Sequence, residues 1–380
     1  MATTQRTLKG WYLVHKWTSL ICTLFLLVLC ITGLPLIFHD EIDGWLGGPE
    51  IPATVPAGAK LDLDKIAAQA RRNHPGELVT FLAWDLDEPI VSVLTAPSFR
   101  SDEKQQHSDA FDARTGEPLA AKPNYRTVSE VLLDLHESLF LGLEGELFLA
   151  VMGLLLVAAL VSGVVVYVPF MRKLDFATVR RHRSRRLQWL DLHNLIGVVI
   201  LGWLGVVGVT GVINTLTHPA AVLWQGSELV NMLAPYRSLP TPTRFASLNR
   251  IVENARQASP GMSISSVAFP GSPFASPRHF MVFMRGSTPV SRRLIAPTLV
   301  DGESGMVVDV REMPLYVKTL FLSQPLHFGD YAGLPLKLLW ALFDVAAIVV
   351  LGSGVYLWLG RRRTSLDKRV DELLRADTSR

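Results

Sequence analysis

The chain has 380 residues, of which 49% are hydrophobic and 19% are charged, and it carries a net formal charge of +3. Soluble chains average about 25% charged residues, so the composition argues against disorder and against an ordinary soluble enzyme, and the small net charge predicts no nucleic-acid partner. The two cysteines, Cys22 and Cys30, lie in one apolar stretch, which excludes a disulfide-stapled secreted fold, a four-cysteine zinc site and a cysteine-ligated iron–sulfur cluster.

Four stretches are apolar over the roughly 20 residues that a helix needs to cross a bilayer core. They are residues 13–38, 147–168, 190–216 and 336–359. The first is not read as a cleaved signal peptide, because its apolar run is too long and no small-x-small site follows closely. We therefore expect four membrane helices that lack charged residues at mid-helix, with Pro35 as the only clear break.

Basic residues in the connections set the expected orientation. Residues 171–186 contain seven Lys and Arg residues against one acid, and further basic residues lie at 6, 9 and 16 and at 361–363. Because Lys and Arg are retained on the cytoplasmic side of membrane helices, the loop and both termini are predicted to be cytoplasmic. A docking patch for an acidic partner is an alternative interpretation of the basic loop.

The two long connections, about 40–146 and 218–335, are then expected on the outer side. Short β-like runs at 79–84, 90–95, 264–269 and 279–284 and short helices at 63–72 and 248–256 give each the pattern of a small α+β domain. The predicted order is an N-terminus and first helix (1–39), a domain (40–135), a helix (136–170), the basic loop (171–189), a helix (190–217), a domain (218–326), a helix (327–360) and a tail (361–380).

The chain repeats itself. Four histidines are each followed, at one of two fixed spacings, by a glycine that comes directly after Thr or Ser. The spacing is 18 or 27 residues, and the pairs are His15 with Gly33, His193 with Gly211, His136 with Gly163 and His327 with Gly354. Two turn motifs also recur, since residues 70–76 match 255–261 and residues 112–116 match 301–305, the latter typical of type I turns that end in glycine. The repeat unit is helix, outward domain, helix, used twice.

These four histidines are the candidate functional residues, because a histidine in or beside a membrane span is costly. His15 and His193 open helices at the cytoplasmic side, and His136 and His327 precede helices at the outer side. A pair of neutral imidazoles on facing helices suits a haem iron. Covalent c-type attachment is excluded, since no Cys-x-x-Cys-His motif is present.

Other interpretations of the histidines remain open. Zinc or copper needs three or four convergent ligands, whereas each face here supplies two. A proton relay is also compatible with histidines at membrane level. Glycines of the third helix, which make room for a flat macrocycle, are equally typical of close helix packing; they are Gly197, Gly202, Gly205, Gly208 and Gly211.

A third symmetric pair, His39 and His218, follows His15 and His193 by 24 and 25 residues. At about 1.5 Å per helical residue this pair lies at or beyond the outer interface, where it is an alternative to His136 and His327. The histidines without a repeat partner in register are read as solvated surface; they are His74, His107, His182 and His279.

Four motifs resemble the PepSY-associated transmembrane family of iron-regulated bacterial inner-membrane proteins. They are His15-Lys-Trp, Leu135-His136-Glu-Ser-Leu-Phe-Leu-Gly142, Leu192-His193-Asn-Leu-Ile-Gly197 and Pro325-Leu326-His327-Phe-Gly329. The resemblance extends over essentially the whole chain. Lys16 stands where many relatives have Arg. The resemblance implies an α-helical membrane protein with two PepSY-like periplasmic α+β domains, and two b-type haems ligated by the histidines of these motifs. It also implies a ferric-siderophore reductase type.

The expected function is therefore transmembrane electron transfer in the inner membrane. Electrons from a quinol or a cytoplasmic flavoprotein would reduce a ferric siderophore in the periplasm and release ferrous iron. The chain itself has no Gly-x-Gly-x-x-Gly after a strand, so no Rossmann-type nucleotide site is expected. Two alternatives are a membrane-anchored PepSY-type regulatory or binding protein and a histidine-based proton or metal transporter.

Overall fold

The computed structural model describes residues 5–46, 51–101, 105–120, 127–171, 177–182 and 184–360. The predicted tail, 361–380, and part of the predicted basic loop, residues 172–176 and 183, lie outside this part of the chain. The described helices are α1 (Gln5–Leu36), α2 (His39–Trp45), α3 (Leu63–Asn73), α4 (Val128–Ser138), α5 (Leu143–Met171), α6 (Arg185–Val199), α7 (Leu201–Asn214), α8 (Thr217–Trp224), α9 (Val230–Leu233), α10 (Leu248–Ala258), α11 (Leu315–Phe328) and α12 (Leu334–Leu359). The strands are β1 (Leu78–Trp84), β2 (Ile90–Ala96), β3 (His107–Asp112), β4 (Ser263–Ala268), β5 (His279–Arg285), β6 (Ile295–Asp301) and β7 (Val307–Val310).

The chain folds into two compact units. The helical unit comprises the described parts of residues 1–43, 126–216 and 323–380, and the sheet unit comprises those of residues 44–125 and 217–322. In the helical unit, α1 packs against α4, α5 and α12, while α5 packs against α7 and α6 packs against α12. Helices from both halves of the repeat therefore share one bundle.

Three helices, α1, α5 and α12, are long and apolar enough to cross a membrane. The predicted third span is not one straight helix, because α6 and α7 meet at a bend of 64°, as in a broken span or a re-entrant loop. The bend lies at Ile200, between Gly197 and Gly202, and glycines weaken the local helix because they lack a side chain that restricts the backbone. By length and composition, the described part of the chain thus has three helices that can cross a membrane, or four spans if the bent pair is counted as one.

The expectation that the spans lack mid-helix charges is wrong. Asp344 lies in the middle of α12 and is only 6% exposed, and its carboxyl is hydrogen-bonded with the thiol of Cys30 on α1. Lys337, one turn inside α12, is 7% exposed and contacts both Asp40 and Glu41 of α2. The high mean hydropathy of residues 336–359 outweighs these two polar side chains. A hydropathy profile also does not show the residues of α1 and α2 that pair with them.

The outward segments do not form two separate domains, as predicted from sequence. They form one antiparallel sheet of seven strands in the order β3-β2-β1-β4-β5-β6-β7. The seam between the two segments is the β1–β4 pair, in which Leu82 lies opposite Val267. Pairing these strands removes two exposed sheet edges, which are otherwise sites of aggregation, and this explains why the two halves merge.

Helices α3 and α10 cover one face of the sheet and share its main core. Their inward residues, among them Ile66, Ala70, Ile251 and Ala255, pack against Leu82 and Val282 of the strands. The two helices also cap each other, since Asp64 accepts a hydrogen bond from the backbone N–H of Leu248 at 2.8 Å and Asn249 accepts one from Leu63 at 2.9 Å. The predicted helices and strands of both segments are confirmed to within about two residues.

The opposite face of the sheet carries a second core. It is built by side chains of α8, α9, the start of α11, the strands and the segments between them; these are Trp224, Leu229, Met232, Ala268, Ala275, Met281, Phe283, Leu299, Met313 and Val317. The sheet is therefore buried on both faces, as the almost continuous burial of β5 and β6 indicates.

Candidate functional site

The four repeated histidines all lie in the helical unit, and each contacts one Ser/Thr-Gly pair. His136 of α4 places its Nδ1 atom 3.0 Å from the hydroxyl of Thr32 and is also hydrogen-bonded to the carbonyl of Leu29. His327, at the end of α11, places its Nδ1 atom 3.2 Å from the hydroxyl of Thr210 and 3.0 Å from the carbonyl of Val207. The two sites use the same contacts in the two halves of the chain.

His15 and His193 follow the same rule. The Nδ1 atom of His15 on α1 is 2.9 Å from the carbonyl of Ala159 on α5. The Nδ1 atom of His193 on α6 is 3.1 Å from the carbonyl of Val350 and 3.0 Å from the hydroxyl of Ser353, both on α12. In all four cases the carbonyl belongs to the residue three positions before the Ser or Thr, so one backbone turn receives each ring.

Each histidine ring also lies against the glycine of its Ser/Thr-Gly pair. A Cβ atom at Gly33 would lie 3.0 Å from Cε1 of His136, and one at Gly163 would lie 3.0 Å from Cε1 of His15. The corresponding distances are 3.1 Å for Gly211 and His327 and 3.5 Å for Gly354 and His193. These glycines therefore make room for the imidazole rings themselves.

The partners are exchanged within each half of the repeat. Each histidine packs not against the Ser/Thr-Gly pair that follows it at the fixed spacing but against the other pair of the same half. This exchange explains why the two spacings of 18 and 27 residues recur together. The sequence contains all eight landmarks, but spacing alone does not show which glycine receives which histidine.

The hydrogen bonds fix the tautomer of the rings. A carbonyl oxygen only accepts, so the proton of each neutral imidazole lies on Nδ1 and the lone pair lies on Nε2. Partial burial lowers the pKa of His136 and His327 to about 4, which keeps these two rings neutral at pH 7. Neutral rings with Nδ1 engaged are the form in which histidine binds a metal through Nε2.

His136 and His327 lie next to each other in an edge-to-face arrangement. Their ring centres are 6.2 Å apart, and the ring planes are inclined by 67°. One metal ion between two Nε2 atoms, with bonds of about 2 Å to each, requires ring centres about 6 Å apart. The separation therefore matches two-point ligation of a single ion. The pairing of His15 with His193 stays a prediction.

The alternative pair has a different environment. His39 opens α2, is half-exposed, and contacts Asp40 through Nε2 at 3.0 Å and the carbonyl of Leu36 through Nδ1 at 3.0 Å. The hydrogen bond with Asp40 raises the pKa of His39 and lowers the pKa of Asp40 to about 2. His218 lies exposed in α8. Neither ring lies against a Ser/Thr-Gly pair among the contacts described.

Of the four histidines that the sequence analysis reads as solvated surface, His279 is buried, His74 is partly buried, and His107 and His182 are exposed. His279 is 1% exposed and bonds the hydroxyl of Ser276 at 2.7 Å. His74 and His107 stack on each other with ring centres 4.5 Å apart. His107 opens strand β3, which the sequence analysis did not predict because the strand is short and polar. His182 is exposed, as expected.

Comparison with known proteins covers nearly the whole chain. The family model described as the PepSY-associated TM region matches residues 12–361, a range that includes all four repeated histidines. A relative from Pseudomonas aeruginosa, an uncharacterized protein, is 27% identical over 270 residues, which are 65% of this chain and 67% of the relative. The region that the family model matches contains the helices of both halves and both long connections.

Proposed function

Since the chain belongs to the PepSY-associated transmembrane family, we propose that it is a di-haem membrane oxidoreductase. In this proposal His15 and His193 hold one b-type haem, and His136 and His327 hold the other. Electrons pass from the cytoplasmic side of a bacterial inner membrane to a ferric siderophore in the periplasm. The proposal depends above all on one observation, the shared cradle of a backbone carbonyl and a glycine around each of the four histidines, to which a hydroxyl is added at His136, His193 and His327.

The residues fit a haem better than a zinc or copper ion. His136 and His327 approach as a pair with 6.2 Å between ring centres, and two axial nitrogens are what a six-coordinate haem takes from protein. A zinc or copper site would require one or two more ligands at the same point. Bound haem would supply one-electron transfer at a potential that the protein adjusts.

The chain's own residues orient and insulate the ligands. Carbonyl groups of the neighbouring helix hold the proton at Nδ1 and so direct Nε2 toward the metal position. The hydroxyls of Thr32 and Thr210 donate to carbonyls of their own helices at 2.8 and 2.6 Å, which leaves their oxygen lone pairs for the imidazole N–H. The carbonyl and the hydroxyl together prevent the rings from rotating out of the ligating orientation.

The substrate follows from the chemistry of iron. Ferric iron is bound tightly by hard oxygen ligands, and reduction to ferrous iron weakens that binding, so iron leaves an intact siderophore. Movement of one electron from an inside-negative cytoplasm to the outer face is favoured by about 2.3 kcal/mol per 100 mV. We propose a quinol or a cytoplasmic flavoprotein as the donor.

A second candidate function is proton or metal transport. Transporters commonly place a broken helix and polar groups within the membrane, and this chain has both the 64° bend between α6 and α7 and the buried Asp344 in α12. A protein that only anchors a regulatory domain needs neither these features nor four matched histidine cradles. Haem content separates the candidates.

The decisive experiment is an absorption spectrum of the purified protein before and after dithionite. We expect a Soret band, sharp reduced bands of six-coordinate b-type haem, and two haems per chain by pyridine haemochrome assay. His15→Ala or His193→Ala should remove one haem, and His136→Ala or His327→Ala the other. His39→Ala and His218→Ala test the alternative outer pair and should retain both haems, and His182→Ala, at an exposed histidine of the basic loop, is the matched control.

The substrate is tested separately by reoxidation. Reduced protein mixed anaerobically with a ferric siderophore should be reoxidised, and a ferrous chelator should report the released iron. Reoxidation no faster than with the iron-free siderophore would refute the substrate class while leaving the haem assignment intact. A colourless protein without iron would refute the electron-transfer proposal and favour the transport candidate.

A further inference from the structure

We propose that His74, Glu77 and His107 form a binding site for one divalent first-row transition-metal ion in the sheet unit, with Asp109 as its hydrogen-bonding neighbour. His74 caps the end of α3, Glu77 directly precedes β1, and His107 opens β3. The three side chains thus come from one end of a helix and the adjoining edge of the sheet. This site is separate from the four histidines of the helical unit.

The three side chains already converge. One ligand atom from each of His74, Glu77 and His107 lies within 4.8 Å of the other two. The two imidazole rings are stacked with an angle of 12° between their planes. Nδ1 of His107 lies 2.9 Å from a carboxylate oxygen of Glu77, so a metal ion would replace the proton that these two atoms share.

Neighbouring groups orient these side chains. The hydroxyl of Thr95 donates to Glu77 at 2.7 Å, and Asp109 lies 3.3 Å from Nε2 of His74 and accepts a hydrogen bond from Asn73 at 3.1 Å. Glu77 is 12% exposed and His74 is 22% exposed, whereas His107 is 50% exposed. Two ligands are therefore held in place, and the third has space to rotate and close the site around an ion.

The ligand set determines the class of metal. Two imidazoles and a carboxylate suit zinc and ferrous iron, whereas calcium and magnesium prefer oxygen ligands alone. In a tetrahedral zinc site with bonds of about 2 Å the ligand atoms are about 3.3 Å apart. The present separations require only a small closing movement, which the exposed His107 side chain can provide.

The internal repeat shows that the fold does not need these residues. Residues 70–76 correspond to 255–261, so Ser259, which caps the end of α10 as His74 caps α3, is the counterpart of His74. By the same registers, Met262 is the counterpart of Glu77 and Ala296 that of His107. The second half builds the same helix and strands without imidazole or carboxylate at these positions. The ligand set is therefore an addition to the shared framework.

The test uses the full-length protein in detergent, with its native haem content, after removal of loose metal by EDTA and dialysis. Zinc is then titrated and the bound metal is measured by mass spectrometry. We expect one zinc ion per chain, not displaced by millimolar magnesium or calcium. His74→Ser and His107→Ala introduce the residues that the second half tolerates, and each should weaken zinc binding by about 100-fold or more, beyond the loss expected for an outer-shell group.

Three outcomes decide the proposal. The proposal is supported if zinc is retained in the wild type and in His218→Ala, which changes an exposed histidine of the same unit, and is lost in both site variants. No zinc in the wild type, or equal zinc in wild type and site variants, overturns it. If magnesium displaced zinc, binding would depend on general surface charge and not on the imidazole ligands, and the proposal would also be overturned. The haem spectrum of the site variants should equal that of the wild type, so failure of this site and failure of the haem assignment are distinguishable.

Discussion

The proton at Nδ1 of each repeated histidine is held by a backbone carbonyl, and for three of the four the structure also gives a hydroxyl at hydrogen-bond distance. In His136 the hydroxyl belongs to Thr32, which itself donates to the carbonyl of Val28 at 2.8 Å. Because this donation uses the only hydroxyl proton, the Thr32 oxygen is left to accept from the imidazole. The structure therefore identifies Thr32, which the sequence analysis marks only as the residue before Gly33, as a positioning group for His136.

Thr32→Val removes that acceptor while preserving the shape of the side chain. We expect about 10- to 100-fold weaker retention of one of the two haems, since groups that support a metal ligand have effects of this size. The matched control is Thr18→Val on the same helix, because Thr18 bonds carbonyls of its own helix. Haem content after dialysis against apomyoglobin measures the difference. Equal retention in both variants would show that the Leu29 carbonyl alone holds the ring.

Asp112 shows how a turn motif that is evident in the sequence becomes a source of pH-dependent stability. Its carboxylate accepts hydrogen bonds from the side chain of Arg114 at 2.9 and 2.6 Å, while Gly116 completes the turn with a positive φ of 75°. The side-chain hydrogen bonds from Arg114 are the main cause that lowers the pKa of Asp112 below its ordinary value of 3.8. The predicted turn is confirmed, but the pairing with Arg114 required the structure.

Asp112→Asn should lower the melting temperature of the protein at neutral pH. A carboxyl whose pKa is lower in the folded than in the unfolded state contributes stability above the unfolded value, and this contribution is lost as the pH falls through the folded-state pKa. The difference between wild type and variant should therefore be full above pH 3.8 and should shrink at lower pH. Asp87→Asn, at a carboxylate that is 59% exposed, is the control. A difference that is independent of pH would contradict this account.

At the level of elements, local pattern predicted the individual helices and strands but not how they combine. Strands β1, β2, β4 and β5 alternate or run apolar over six or seven residues, so their positions were evident. The β1–β4 seam joins residues about 185 positions apart, and no local signal reports such a pairing. The bend at Ile200 was missed for a similar reason, because hydropathy does not distinguish one apolar helix from two.

The reciprocal capping of α3 and α10 is the element-scale contact that links the two halves. Asn249 accepts from the backbone N–H of Leu63 at 2.9 Å and donates to Asp62 and Asp64 at 2.8 and 2.9 Å. Asn249→Ala should cost about 1 kcal/mol, as loss of a helix cap does, and lower the melting temperature by about 2–4 °C. Gln257→Ala, on the exposed face of the same helix, should leave it unchanged. Equal melting temperatures for both variants would show that the sheet seam alone joins the halves.

At the scale of the whole molecule, the repeat can be recognised in the sequence because both halves keep the same spacings. The contact between histidines of the two halves could not be predicted from those spacings. Each half supplies one of the two adjacent rings, His136 from the first and His327 from the second, so neither half makes that pair alone. Duplication thus brings one ring from each half together, which is the arrangement that the proposed two-point ligation requires. The same comparison between halves identifies His74, Glu77 and His107 as residues that only one half carries.

Orientation is a property of the whole chain and determines the direction of any charge movement through it. The basic loop predicts that the segment around His182 lies in the cytoplasm and that the sheet unit lies outside. Within the described part of that loop, Arg180 is bound to Asp191, in the middle of α6, at 2.7 Å, so this cation already has a carboxylate partner within the chain.

Cysteine labelling tests this orientation. In a background of Cys22→Ser and Cys30→Ser, a membrane-impermeant maleimide added to intact spheroplasts should label Glu88→Cys, which is exposed in the sheet unit. It should label His182→Cys only after permeabilisation, because that exposed residue lies in the basic loop. The reverse pattern would place the sheet unit in the cytoplasm, where an inside-negative potential opposes electron movement toward it by about 2.3 kcal/mol per 100 mV. A periplasmic ferric siderophore would then be excluded as the acceptor.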